Sequence, residues 1–260
     1  MKKLTGFFLA TLCLHAHAAD WTEIPEVAAL FANAGVTGTF VVYDVAGNRF
    51  HGYNRARAET RYVPASTFKI ANTMIGLSVG AVESVDEVLP YGGQPQPFRS
   101  WERDMSLRDA IAVSNVTIYQ ELARRIGHER MQDGVTRMGY GNADIGTRVD
   151  TFWLAGPLKI SAIEQTRILA RLTANDLPFR AEFQQQAREI IRLEQDDSGT
   201  LYGKTGWENA QDPGVGWWVG WVQKAERTFT FALNIDIRQS SDADKRIELG
   251  KASLAASGVR

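Results

Sequence analysis

The feature that most limits how this chain can fold is the placement of its two hydrophobic periods, strand-like at both ends and helix-like between them. Near the start, Ile24 to Ala34 has apolar residues at helical spacing. Thr37 to Val45 then alternates as a strand, Ala46-Gly47-Asn48 turns the chain, and a second strand runs through Tyr53. From Ser66 to about Phe179 the period is helical, with helices expected at Ser66 to Ser78 (closing at Gly80), Ser106 to Gly127, Glu129 to Met138 and Ser161 to Leu172. A loop-rich stretch, Pro90 to Trp101, interrupts them. After a helix near Glu182 to Leu193, strands return at Thr200 to Lys204, Gly216 to Gln223 and Thr228 to Asp236, and Asp244 to Ala256 gives a last helix. A sheet begun by one end of the chain and completed by the other must bring both ends together. The periods therefore predict an α/β protein of the α+β type, with a mixed helical lobe inserted into an antiparallel sheet that N- and C-terminal helices flank.

With 260 residues, 44% of them hydrophobic, the chain can bury a sizeable core. It shows no repeat and no linker that would separate two independent domains. Residues 1–18 read as a secretory signal: Lys2 and Lys3, an apolar stretch from Leu4 to Leu14, and Ala16-His17-Ala18 as a small-x-small cleavage site. Residues 19–260 are then expected to form one catalytic domain, with an α/β lobe of about 19–65 and 196–260 and a helical lobe of about 66–195. The expected location is the periplasm, without stable membrane insertion.

Removal of the signal also removes chemistry. Cys13 is the one cysteine, so the mature chain has no disulfide and no thiolate site. His15 and His17 leave as well, so only His51 and His128 remain and a metal cluster is not expected. Neither histidine adjoins a Gly-x-Ser-x-Gly elbow, so a hydrolase here would need a base other than histidine. Twenty-nine basic and 30 acidic residues become 27 and 30 once Lys2 and Lys3 are gone, a net charge of −3 that argues against nucleic acid as a partner.

Two short motifs point to a chemistry. In Pro64-Ala65-Ser66-Thr67-Phe68-Lys69, a proline followed by small and hydroxyl residues marks a helix start. Lys69 falls three residues after Ser66, on the same face, where its amine can take the hydroxyl proton. The helix N-terminus supplies backbone N–H groups for a developing oxyanion. Ser-x-x-Lys alone fits any amphipathic helix with a surface lysine. Lys204-Thr205-Gly206, on a predicted strand, adds an ammonium and a hydroxyl side by side as an anion-recognising edge, with a glycine that lets a ligand approach the backbone. By itself it would be a strand end with a solvated lysine. Their order and separation together resemble the penicillin-recognising serine enzymes, in which the two motifs face each other across a cleft.

Further segments are similar to the class D (oxacillinase-type) serine β-lactamases: Ser114-Asn115-Val116, Tyr140-Gly141-Asn142, Phe152-Trp153-Leu154-Ala155-Gly156-Pro157-Leu158 and Gly216-Trp217-Trp218-Val219-Gly220-Trp221. The resemblance spans essentially the whole mature chain. It implies hydrolysis of the β-lactam amide of penicillin-type antibiotics through a Ser66 acyl-enzyme, and with it antibiotic resistance. It also implies that Ser66, Lys69, Ser114 and Lys204 are catalytic, with Ser114 relaying a proton to the leaving nitrogen. Val116, Trp153, Leu154, Thr205, Gly206, Trp207 and Arg246 are implied to bind substrate. Within that set Arg246 and Thr205 hold the substrate carboxylate, Trp153 anchors a modified Lys69, and the N–H groups of Ser66 and Trp207 form the oxyanion hole. Tyr140 to Asn142 is expected to shape the cleft.

A β-lactamase must also activate water. The glutamate that class A enzymes use for this has no similar segment here, and Ser114-Asn115-Val116 is not their Ser-Asp-Asn. Phe68, Ile70, Val116, Trp153 and Leu154 can form an apolar pocket around Lys69, where desolvation favours a neutral amine able to add carbon dioxide. The resemblance implies a carbamate (N6-carboxylysine) at Lys69 that serves as base in acylation and deacylation. No cofactor beyond CO2 or bicarbonate is expected, and a homodimer is left open. Two rivals share the lead motifs: a penicillin-binding transpeptidase or carboxypeptidase, and a β-lactam sensor domain whose serine stays acylated.

Overall fold

The computed structural model describes residues 20–260, so the expected signal at 1–18 lies outside the described residues. In chain order the elements are β1 (Asp20–Glu23), α1 (Pro25–Ala34), β2 (Gly38–Asp44), β3 (Arg49–Tyr53), α2 (Arg55–Glu59), a 3-10 turn at Ala65–Phe68, α3 (Lys69–Ser78) and β4 (Val88–Leu89). They continue with a 3-10 turn at Arg99–Trp101, β5 (Met105–Ser106), α4 (Leu107–Ala112), α5 (Val116–Ile126), α6 (His128–Met138), α7 (Ala162–Thr173) and α8 (Ala181–Glu189). The last five are β6 (Arg192–Asp196), β7 (Gly199–Glu208), β8 (Gly214–Lys224), β9 (Arg227–Ile237) and α9 (Asp242–Ala256).

Among the described residues, seven strands make one sheet in the order β1-β3-β2-β9-β8-β7-β6, and β4 and β5 pair separately. Every pairing in the large sheet is antiparallel except β1 with β3. The N-terminal strands meet the C-terminal ones where β2 lies on β9, with Val41 opposite Ala232. This is the closure by both chain ends that the sequence predicts.

The sheet is buried on both faces, which explains why β8 reads as continuous apolar text. Trp217, Val219 and Trp221 point into the core beneath the helices, with Phe68, Ile75, Leu122 and Trp153. Trp218 and Val222 point the other way, into a second core that α1 and α9 cover with Val27, Phe31, Leu249 and Leu254. Each fully buried large side chain contributes about 1.5–3 kcal/mol. The two ends of the chain pack together in that second core, where α1 contacts α9. Gly250 of α9 lies flat on Trp218: a Cβ there would come within 2.0 Å of the indole, so the helix can approach the sheet only without a side chain at that position.

Local signals account for most boundaries. Pro25 opens α1 and Gly35, at φ +63°, ends it. Ser161 and Glu164 form a reciprocal capping box on α7. The helix expected at Ser106 to Gly127 is two helices, with the chain broken at Val113–Asn115 and Ser114 in the left-handed region at φ +55°. The helix expected to reach Leu193 stops at Glu189, and Arg192–Asp196 instead forms the edge strand β6.

Candidate active site

Lys204, Thr205, Gly206 and Trp207 are consecutive on β7, which runs against the 3-10 turn that carries Ser66. Gly206 makes that approach possible. A Cβ at Gly206 would sit 2.9 Å from the Pro64 carbonyl oxygen, closer than a side chain allows, and a tight 3.3 Å from the Thr67 nitrogen. The neighbouring strand is tied to the same place: Trp217, opposite Gly206 in register, donates its indole N–H to the Val63 carbonyl at 2.9 Å. Thr67 donates to the Pro64 carbonyl at 2.7 Å and accepts from the Gln165 amide of α7 at 2.8 Å. These contacts hold Ala65 at φ +48°, a conformation that costs a non-glycine residue about 1–2 kcal/mol. Ser66 is thereby presented at the end of a buried turn, 9% exposed, facing a cleft.

Lys69 begins α3 directly behind it. Its Nζ donates to Ser66 Oγ at 2.6 Å, and the side chain is fully buried. Burial, and then the nearby Lys204 charge, hold the amine well below the usual lysine range. An uncharged amine at that distance can accept the hydroxyl proton. The surrounding pocket is aromatic. Phe68 stacks on Trp153 with ring centroids 5.7 Å apart, and the Tyr119 ring lies 5.4 Å from Nζ. Tyr119, which the sequence did not single out, is pinned by its hydroxyl to Thr73 Oγ1 at 2.9 Å.

Across the cleft, Lys204 Nζ donates to Ser114 Oγ at 2.9 Å and to the Thr205 carbonyl at 3.0 Å. Its amine is pushed down to about 7, first by burial and then by the Arg246 charge. Ser114 reaches this position because the chain breaks between α4 and α5. Asn115 stabilises the break: it caps α5 by accepting from the Ile118 N–H at 3.2 Å and donates to the Trp101 carbonyl. The Ser114 hydroxyl therefore touches the Lys-Thr-Gly strand while Ser66 touches Lys69. Arg246, on α9, donates to the Gly206 carbonyl at 2.6 Å and to the Ala243 carbonyl. It brings a guanidinium beside Thr205 and Trp207.

The cleft over Ser66 has a volume of about 560 Å³. Ser66, Ser114, Val116, Leu154, Thr205, Gly206, Trp207 and Arg246 all line it, so eight of the expected residues, scattered over 180 positions, converge. Lys69 and Lys204 lie beneath its surface. Trp153, expected among the substrate-binding residues, is fully buried and does not line the cleft. Its indole N–H has no hydrogen-bond partner. Tyr140, Gly141 and Asn142 do not line it either: Tyr140 packs edge-on behind Phe68, and Asn142 ties the backbone at Pro157 and Lys159. They brace the wall from behind.

The lining also includes Pro97, Phe98, Trp101, Val113 and Asn209, none of which was chosen individually from the sequence. Pro97, Phe98 and Trp101 belong to the stretch Pro90 to Trp101, expected as a loop, and an aromatic between prolines and polar residues was the available signal. Among the described residues, no cluster of three or more His, Cys, Asp or Glu side chains is arranged to hold a metal ion, and no helix is long and apolar enough to cross a membrane.

A paired Ser-x-x-Lys and Lys-Thr-Gly across one cleft defines the penicillin-interacting class of serine acyl-transfer proteins. Consistent with this, residues 38–254 match the penicillin binding protein transpeptidase domain. Beta-lactamase OXA-5 of Pseudomonas aeruginosa is 40% identical over 100% of this chain and 98% of its own length. Beta-lactamase OXA-10 of the same organism is 36% identical over 100% and 99%. The crystal structure of FUS-1 (OXA-85), a class D β-lactamase from Fusobacterium nucleatum subsp. polymorphum, superposes with a TM-score of 0.89 at 43% identity, covering 92% of this chain and 99% of that one. The chain belongs to the class D serine β-lactamases, a branch of the transpeptidase-domain family.

Proposed function

We propose that this protein opens the β-lactam ring of penicillin-type antibiotics in two steps, with Ser66 as nucleophile and a base at Lys69 serving both. The observation that carries this reading is the 2.6 Å contact from a fully buried Lys69 Nζ to Ser66 Oγ. The substrate carboxylate binds Arg246 and Thr205, which places the lactam carbonyl over Ser66, between its N–H and that of Trp207. Lys69 draws the proton from Ser66 Oγ, the oxygen attacks the carbonyl carbon, and the C–N bond breaks. Ser114, hydrogen-bonded to Lys204, delivers a proton to the leaving nitrogen. An ammonium that titrates at about 7 is matched to this exchange near neutrality.

Hydrolysis of the ester calls on the same base at Lys69 a second time, now to activate water. A carbamate on Lys69 fits the pocket because burial holds the amine well below the usual lysine range, and because the Trp153 N–H is buried with no acceptor of its own. When bound, the carbamate supplies a carboxylate able to activate the hydrolytic water. Trp153 would hold it, Phe68 fixes the indole plane, and Val116 and Leu154 limit how much solvent enters. No metal or organic cofactor is required. The remaining parts of the reading are export to the periplasm after cleavage of residues 1–18, a single catalytic domain from residue 19 onwards, and resistance to the drugs hydrolysed.

A radiolabelled penicillin in excess tests the reading. Turnover of many equivalents, with label lost from the protein within minutes of drug exhaustion, is the expected result. Label retained for hours would instead mean a transpeptidase-like target or a sensor.

A further inference from the structure

Phe98 is 58% exposed at the mouth of the cleft, an unusual place for a phenylalanine, and its ring packs edge-on against Trp101 at 4.9 Å. Trp101 is well anchored: its indole donates to the Val113 carbonyl at 3.1 Å, and its carbonyl accepts from Asn115. The chain before Phe98 is not built the same way. Gly92 and Gly93 both have positive φ, and Pro95 and Pro97 carry no N–H, so this stretch can make few backbone hydrogen bonds. Two side chains from outside the stretch, Thr117 and Glu102, hold it at Gln96. Thr117, in the first turn of α5, donates its hydroxyl to the Gln96 Oε1 at 2.5 Å. Gln96 is braced in turn by its N–H to Glu102 and its amide to the Gln94 carbonyl.

We propose that Thr117 and Gln96 are positioning residues that set substrate preference by latching the Phe98 loop to α5. The proposal rests on the β-lactamase reading above. Thr117 follows Val116 directly, so the latch joins the catalytic helix break to the cleft's apolar wall. The cleft presents one cationic group of residues, suited to a carboxylate, and one apolar group formed by Phe98, Trp101 and Val113. A penicillin presents one carboxylate and one acyl side chain. The aryl group of that side chain is what Phe98 and Trp101 would receive, with edge-to-face contacts of the kind the two rings already make. A latched loop receives it without first having to be ordered.

Thr117→Val keeps the shape and removes the donor, while Thr117→Ser keeps the donor. Thr117→Val should raise KM for benzylpenicillin and oxacillin about three- to tenfold, the range for one lost hydrogen bond, with kcat little changed. Thr117→Ser should behave as the parent. Kinetics with 6-aminopenicillanic acid, which has no acyl side chain, should be the same in all three. In Phe98→Ala, adding Thr117→Val should change nothing further, because the group being positioned is gone. Amide exchange of residues 92–98, measured without substrate, should be faster in Thr117→Val than in the parent or Thr117→Ser. Equal KM values and equal exchange in Thr117→Val and the parent overturn the latch, as does an equal KM increase with 6-aminopenicillanic acid. If the parent hydrolyses no β-lactam, the functional reading fails, and the exchange measurement still decides whether the latch exists.

Discussion

Replacing Lys204 by methionine should make the protein inactive, and more stable at and below neutral pH, with a stability gain that falls as pH rises. Lys204 is 6% exposed, and its amine titrates at about 7 in the fold against an ordinary 10.5. Below pH 7 it is charged in both folded and unfolded chains, so the full cost of burying the charge is present. Between pH 7 and 10.5 the unfolded chain holds a proton that the folded one has released, so stability rises with pH. Above 10.5 both forms are neutral and the cost is gone. The gap between 10.5 and about 7 corresponds to roughly 5 kcal/mol as an upper limit. Methionine also gives up the hydrogen bonds to Ser114 and Thr205, which returns about 1–3 kcal/mol. The net gain at pH 6 is then on the order of 2 kcal/mol, a rise in Tm of about 4–8 °C for a chain of this size. Thermal melts of parent and Lys204→Met at pH 6, 7, 8.5 and 10, in degassed buffer so that Lys69 stays a free amine, measure it. The gain should be largest at pH 6, shrink as pH rises and turn into a small loss by pH 10, where the charge cost is nearly gone and the lost hydrogen bonds remain. A difference that does not vary with pH, or that grows as pH rises, would refute the reasoning.

Two other substitutions probe neighbouring parts of the site. Trp153→Phe keeps an aromatic ring against Phe68 but removes the unpartnered N–H, so the bicarbonate concentration giving half-maximal hydrolysis should rise about tenfold or more, with little loss of Tm. Gly206→Ala forces a Cβ against the Pro64 carbonyl, so β7 must withdraw from the Ser66 turn; Tm should fall by an amount equivalent to about 1–3 kcal/mol and kcat/KM by a larger factor than the folded fraction explains.

The parts of this molecule that could be read in the sequence are those where local text and tertiary environment agree. The β3 strand alternates because one of its sides is buried, β2 reads as an apolar run because both of its faces are covered, and Pro25 and Gly35 mark the ends of α1. The expected helix overruns the first two residues of β6, Arg192 and Leu193, because, as an exposed edge, Arg192 to Asp196 shows no buried alternation. β1, Asp20-Trp21-Thr22-Glu23, and the five-residue α2 are too short and polar to carry a period.

The break at Ser114 was invisible for another reason. Leu107, Ile111, Ile118 and Leu122 keep a helical apolar spacing straight through it, so the local Asn115 cap on Ile118 was masked, and the contacts of Lys204 with Ser114 and Trp101 with Asn115 that hold the break are long-range. Ser66, Lys69 and Lys204 stand out in the sequence as chemistry-bearing types in motif order, whereas Ser114 came into the expected set through the family resemblance. The cleft's aromatic wall was not, because Phe98 and Trp101 depend on a loop path that only side-chain hydrogen bonds define.

The central claim is that the residue touching Ser66 works as a carbamylated base. Carbon-13 NMR of the protein equilibrated with labelled bicarbonate tests it most directly. One carbamate resonance is expected, absent in Lys69→Ala, lost on acidification and degassing, and regained on adding bicarbonate in proportion to the rate of penicillin hydrolysis. Full hydrolytic activity in a sample without that resonance would contradict the claim.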